Sequence, residues 1–262
     1  MGAHMLEVSD LHCGYGSDEI VHGVSFTVDE GEFVCIIGAN GCGKTTTLKN
    51  VMGLYKPLSG EVRIVGQDVL SMQEKEKARH FAYIPQAHAA PFPFVVADVV
   101  ILGRTPYLNT LTHTSPEDRD IAYRAMETLG IENLAERVYT ELSGGQQQLV
   151  LIARALAQQP DVLIMDEPTA SLDFGNQQVV LSQMKNLVAA GTSVLMVTHD
   201  PNHAFYCATK VVAMQKGRVV CEGTPAEVVT TEMLEQLYDA RVEVTRVMIK
   251  SLQEERSVAI SL

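Results

Sequence analysis

The chain has no tryptophan, and its aromatic residues make up only 6% of 262 positions. A surface built to stack nucleobases carries more of them. There is also no basic block, and the formal net charge is −12. Nucleic-acid affinity is dominated by neutralising phosphates with Lys and Arg, so DNA and RNA are excluded as expected partners. No apolar run approaches the roughly 18–20 residues of a membrane-spanning helix, and no signal-peptide pattern is present. Five scattered cysteines (Cys13, Cys35, Cys42, Cys207, Cys221) show neither CxxC nor Cys/His ligand spacing. They read as reduced thiols of a cytosolic protein. His80, His88 and His113 also lack ligand spacing and are assigned no metal. The opening Met1-Gly2-Ala3-His4-Met5 reads as an expression scar and is set aside.

What remains is an acidic chain, 46% apolar, long enough for one large α/β domain or a core with an inserted subdomain. Leu6–Leu11 and Val24–Val28 read as short strands flanking a Gly-rich turn. The apolar run within Glu32–Ile37 reads as a strand buried on both faces. A helix is expected from Gly43 to about Met52, and a strand at Glu61–Val65. The β pattern vanishes between Ala87 and Gln159, where helices are expected at Val95–Leu102, Pro116–Leu129 and Ser143–Gln158. Strands resume at Val162–Met165 and Ser193–Thr198, joined by a helix over Gln177–Ala190 in a βαβ unit. Lys210–Met214 and Arg218–Cys221 suggest a hairpin, Glu232–Tyr238 a short helix, and Val242–Ile249 a final edge strand. The expected division is residues 6–86 as the first part of a core, 87–159 as a helical subdomain, and 160–262 as the rest of the core.

Gly38-Ala39-Asn40-Gly41-Cys42-Gly43-Lys44-Thr45 fits G-x-x-x-x-G-K-[ST], the phosphate-binding P-loop, in the strand–loop–helix context the motif needs. Its glycines let backbone amides approach phosphates while the following helix points its positive end at them. Lys44 would reach the β- and γ-phosphates, Thr45 would ligate Mg²⁺, and Thr46 adds a hydroxyl donor. Val162–Met165 delivers Asp166 and Glu167 at a strand's carboxyl end: one acid to hold a cation, one to polarise water. Ser143-Gly144-Gly145-Gln146 opens a helix and is a second anion site, combining free amides, a hydroxyl and the helix dipole. At Cys42 two readings stand: a small tolerated side chain, or a reactive thiol whose pKa is lowered by the helix N-terminus and Lys44.

A P-loop followed by Leu142-Ser143-Gly144-Gly145-Gln146 and then Val162–Glu167 resembles the ATP-binding-cassette (ABC) ATPases over nearly the whole chain. The resemblance implies a P-loop NTPase core of RecA-like type with a mostly parallel sheet, an N-terminal antiparallel β subdomain and an inserted α-helical subdomain. It makes Gln86 the Q-loop glutamine, sensing Mg²⁺ and the attacking water, and Glu167 the residue that polarises that water. His199 becomes the strand-end side chain at the γ-phosphate, and Tyr15 the ring stacked on adenine. It implies that Ser143–Gln146 completes the ATP site of a facing subunit, and that Ser171-Leu172-Asp173 is the D-loop crossing the same interface. The implied unit is a head-to-tail homodimer holding two Mg-ATP.

One cassette without a membrane span implies a subunit docked on separate membrane proteins at the cytoplasmic face of the membrane. Val96–Tyr107, Leu142–Gln148, Glu222-Gly223-Thr224-Pro225 and Leu237-Tyr238 resemble the ATPases of iron–siderophore, haem and cobalamin importers. That implies two permease subunits and, indirectly, an extracytoplasmic substrate-binding protein. The permease contact falls around Ala87–Leu108, where Phe92, Phe94 and Tyr107 are either apolar anchors or subdomain core. An exporter subunit or an Fe–S assembly ATPase is the alternative. A repair-type ABC ATPase would need a coiled-coil insertion or a basic surface, and the chain has neither.

Overall fold

Leu6, Val8, Leu11 and Cys13 are buried along β1 (Leu6–Tyr15), with polar residues between them facing outward, as expected of a half-covered strand. The computed structural model describes residues 4–15, 18–86, 93–108, 113–250 and 253–262. Met1–Ser71 and Val188–Leu262 form one compact unit, and Met72–Leu187 a second.

In the first unit β1 pairs antiparallel with β2 (Asp18–Val28). Both strands outrun the expected Leu6–Leu11 and Val24–Val28. Asp10 is left-handed (φ 47°), and the register shifts between Val8 and Leu11 before pairing resumes at Leu11↔Val24. Such a bulge breaks the sequence alternation without ending the ladder. β3 (Phe33–Ile37), buried at every residue, ends in the phosphate loop, and α1 (Lys44–Val51) follows. β4 (Ser59–Ile64) covers the other edge of β1, with β5 (Gln67–Asp68) beyond it.

The second unit begins with α2 (Glu74–His80) and β6 (Phe81–Ile84). Three helices follow close to where they were expected: α3 (Val96–Ile101), α4 (Pro116–Thr128) and α5 (Gly144–Ala157). Ser115 with Asp118, and Ser143 with Gln146, close capping boxes at the starts of α4 and α5, satisfying amides a helix leaves orphaned. α5 packs on α3 and α4, and Leu149, Val150 and Ile152 along it are buried. β7 (Val162–Asp166) pairs parallel with β6. α6 (Phe174–Ala189) leads back.

On return, β8 (Ser193–Thr198) lies parallel to β3, α7 (Pro201–Cys207) follows, and β9 (Lys210–Gln215) pairs parallel with β3 on its other edge. β10 (Arg218–Gly223) makes the expected hairpin with β9. After α8 (Pro225–Val228) and α9 (Thr231–Tyr238), β11 (Val242–Ile249) is not the final strand. β12 (Glu254–Ser261) pairs with it along eight rungs, from Val242↔Ser261 to Ile249↔Glu254. Its charged start, Glu254-Glu255-Arg256, hides it from an apolar-alternation reading.

Candidate functional site

The first unit carries the phosphate loop. Gly43 stands at the N-cap of α1 with φ 104° and brings no capping side chain. A Cβ there would lie 3.2 Å from Val21 Cγ2 in a conformation L side chains rarely adopt, so the loop's shape requires glycine. Lys44 is buried, its ammonium donating to the carbonyl oxygens of Gly38 (2.7 Å) and Ala39 (3.1 Å). It is thereby held over the loop's own amides. Thr46 is buried, and its carbonyl accepts from Asn50 Nδ2 at 2.9 Å. Ile37 is paired with Thr198 across the parallel β3–β8 ladder. Gly38 and His199 are therefore the next residues out along adjacent strands, which is how an exposed His199 comes to stand beside the start of the loop. Tyr15 ends β1 half exposed, its ring edge-on to Tyr55 at 5.8 Å.

The second unit carries the acids. Ile84 pairs with Met165 in the β6–β7 ladder, and two residues beyond each lie Gln86 and Glu167. Gln86 Nε2 donates to Glu167 Oε2 at 3.1 Å. Glu167 has φ 49°, a sparsely populated conformation for a residue with a side chain, of the kind that clusters at functional sites. Asp166 is buried and accepts a 3.4 Å hydrogen bond from the Tyr83 hydroxyl. Burial first, then Asp166, pushes the Tyr83 phenol up to about 12, so it stays a donor. Ser143 Oγ accepts from the Gln146 amide at 3.4 Å while Gln146 Oε1 accepts from Ser143 N at 3.1 Å. Gly145 lies so close to Asn176 that a Cβ would sit 2.1 Å from its Oδ1. Asn176 in turn donates to both oxygens of Asp173, from its amide at 2.8 Å and from Nδ2 at 2.9 Å. The Ser143–Gln146 turn and Asp173 are thus built as one piece.

Two polar residues went unnoticed in the sequence. Tyr83 lies on β6, three residues before Gln86. His203 shares a 2.9 Å hydrogen bond with Thr198 Oγ1, which also accepts from Asp200 N at 3.1 Å. His203 therefore braces the turn that presents His199. Two readings are corrected or settled. Cys42 is 7% exposed, and burial pushes its thiol up despite the opposing pull of Lys44; the small-side-chain reading holds over the activated thiol. Tyr107 is half-buried, with the Arg104 guanidinium 4.0 Å and that of Arg79 5.1 Å from its ring centre. Its hydroxyl donates to Gln158 O at 3.0 Å, which packs Tyr107 into the second unit, in line with the subdomain-core reading. Phe94 is 49% exposed; Phe92 and His88 lie outside the described residues, as does all of 87–92.

The loop fits a nucleoside triphosphate on these grounds: glycine-shaped backbone, an uncapped helix start and a buried ammonium. Residues 21–170 match the model of the ABC transporter family. The chain belongs to the ABC transporter family. As a member it is an ATP-binding, ATP-hydrolysing subunit. An ABC transporter ATP-binding protein of Haemophilus influenzae is 41% identical over 89% of both chains. The iron(3+)-hydroxamate import ATP-binding protein of Bacillus subtilis is 37% identical over 91% of this chain and 89% of the relative. Among solved structures, an inward-facing conformation of an ABC transporter described as of metal-chelate type superposes with a TM-score of 0.87. It is 29% identical, over 99% of this chain and 98% of that one. The α/β fold with parallel ladders and an antiparallel sheet is that of these P-loop cassettes.

Proposed function

We propose that the chain is the energising subunit of a metal-chelate importer, of the siderophore, haem or cobalamin class. It works as a head-to-tail pair of copies that sandwich two ATP molecules. The observation that carries this is the second anion-binding helix start, Ser143–Gln146, packed at Gly145 against Asn176, which hydrogen-bonds Asp173. A P-loop already supplies one phosphate cradle. A second, rigid one on the same chain suits the γ-phosphate of an ATP held by another copy. ATP then acts as an adhesive between two electropositive helix ends, and its hydrolysis lets the copies part.

In the hydrolytic step Glu167 takes up the proton of the attacking water, and Gln86 holds that carboxylate in place through its 3.1 Å hydrogen bond. General-base assistance is typically worth about 10²–10⁴-fold. The Thr45 hydroxyl, Gln86 and Asp166 would hold Mg²⁺, which would neutralise phosphate charge when bound. His199 and Lys44 steady the terminal phosphate, and Tyr15 stacks on adenine. No described helix is long and apolar enough to cross a membrane. Like an import ATP-binding subunit, the chain docks from the cytoplasmic face on two permease subunits, with Phe94 and the exposed Leu102 among the contacts. An extracytoplasmic binding protein delivers cargo to those permeases.

Glu167→Gln should bind ATP yet hydrolyse it at least a hundredfold more slowly. In size-exclusion chromatography with light scattering, this variant should shift from monomer to dimer on adding Mg-ATP. A monomer with ATP demonstrably bound would overturn the shared-site reading.

A further inference from the structure

Phe174 opens α6 directly after Asp173 and is 78% exposed, the most exposed aromatic among the described residues. Phenylalanine is neither a good capping residue nor a strong helix former, so local structure does not explain its place. The ring does not ride on a loose tip. Asn176 clasps Asp173, and Gln177 Nε2 donates to Thr169 O (3.3 Å) and Leu172 O (3.0 Å). A large apolar group on a rigid platform loses little freedom on docking, which is the profile of an interface anchor.

The first unit holds a cleft of about 480 Å³ along the flank of the phosphate loop. It is lined by Ala39, Asn40 and Cys42 of the loop and by Leu237, Tyr238 and Asp239 at the end of α9. Gln215 Nε2 donates to Gln236 O at 2.6 Å, fastening the β9–β10 turn to α9 so that the cleft is preformed. Asp239 is left-handed (φ 50°) and ends α9 at the cleft's edge.

We infer that Phe174 of one copy inserts into this cleft of a second copy, beside its phosphate loop. The inference rests on the head-to-tail pairing proposed above. In that pairing Ser143–Gln146 closes over the second copy's loop, and Asp173 is fastened to that turn through Asn176. The next residue therefore lands on the loop's flank, where the cleft lies. The charges match. Lys216 lines the cleft and meets the acidic Asp173, while Asp239 meets the positive N-terminal end of the 16-residue α6. By two-fold symmetry each dimer makes the insertion twice.

The test uses the full chain carrying Glu167→Gln, with Mg-ATP. Adding Phe174→Ala should raise the protein concentration at half-dimerisation by roughly a hundredfold to ten-thousandfold, given what a buried phenylalanine contributes at each of the two insertions. Binding of a fluorescent ATP analogue by the monomer should stay unchanged. A benzophenone amino acid at position 174, irradiated, should cross-link to peptides containing 39–42 or 236–239 of the other copy, and only with Mg-ATP. If Phe174→Ala dimerises at the parent concentration, or the cross-links map elsewhere, the insertion is wrong while the head-to-tail pairing stands. If the Glu167→Gln parent itself fails to dimerise with Mg-ATP, both fall.

Discussion

Cys42 sits between opposing influences. The helix start and Lys44 favour its thiolate, and burial disfavours it; burial wins. Alkylation at pH 7 should therefore modify half-buried Cys221 well before Cys42 in the folded protein. Mass spectrometry finding Cys42 labelled first would contradict this. His203 shows the same competition with the opposite charge. Burial lowers its pKa below 6.5, opposed by Asp200 and reinforced by His199. Above about pH 6.5 the folded and unfolded chains both hold it neutral, and its contribution to stability is complete. Below that the unfolded chain takes up a proton the folded one resists, so stability falls with pH down through the folded pKa. The urea midpoint should drop between pH 7.5 and 5.5, and His203→Gln should shrink that drop. Equal drops in the two proteins would rule His203 out as the source.

Arg104 is the tie among the helices of the second unit. Its Nε donates to Asp118 Oδ1 on α4 at 2.9 Å, and its Nη1 to Ala157 O at the end of α5 and to Gln159 Oε1 just beyond it, both at 2.8 Å. The pairing, with help from Ser115, holds the Asp118 carboxyl below the usual carboxylate range. Removing one member of a buried pair leaves the other charge uncompensated. Arg104→Ala should lower unfolding free energy by about 3–5 kcal/mol, and Arg104→Met with Asp118→Leu should recover most of it. Urea titration would decide, and a loss below about 1 kcal/mol for Arg104→Ala would show that the network supports little. In the sequence Arg104 was one letter in a stretch resembling importer ATPases. Its partners lie 14, 53 and 55 residues away, beyond any local pattern.

Across the whole molecule, each unit holds only part of the proposed machinery. The first has the phosphate loop and His199, the second Gln86, Asp166, Glu167 and the Ser143–Gln146 turn. The proposed pairing of copies gives the second anion site a purpose and makes ATP the element that joins them. Affinity between copies should then depend on nucleotide, which is what the Glu167→Gln experiment reads.

The strand–loop–helix around Gly38–Thr45, the β7 end before Glu167 and the α5 start at Ser143 were legible because each needs fixed residue types at fixed local spacing. Buried strands and amphipathic helices were legible because their periodicity is local as well. Where the pattern broke locally, as at Asp10 and along Glu254–Arg256, strand ends and β12 were missed, since pairing with a distant strand sustains them. Only tertiary structure decided that Cys42 is protected, that Tyr107 lies against two guanidinium groups, and that Gly145 packs on Asn176, which hydrogen-bonds Asp173. Burial and long-range hydrogen bonding depend on which distant segments fold together, and no stretch of sequence carries that by itself.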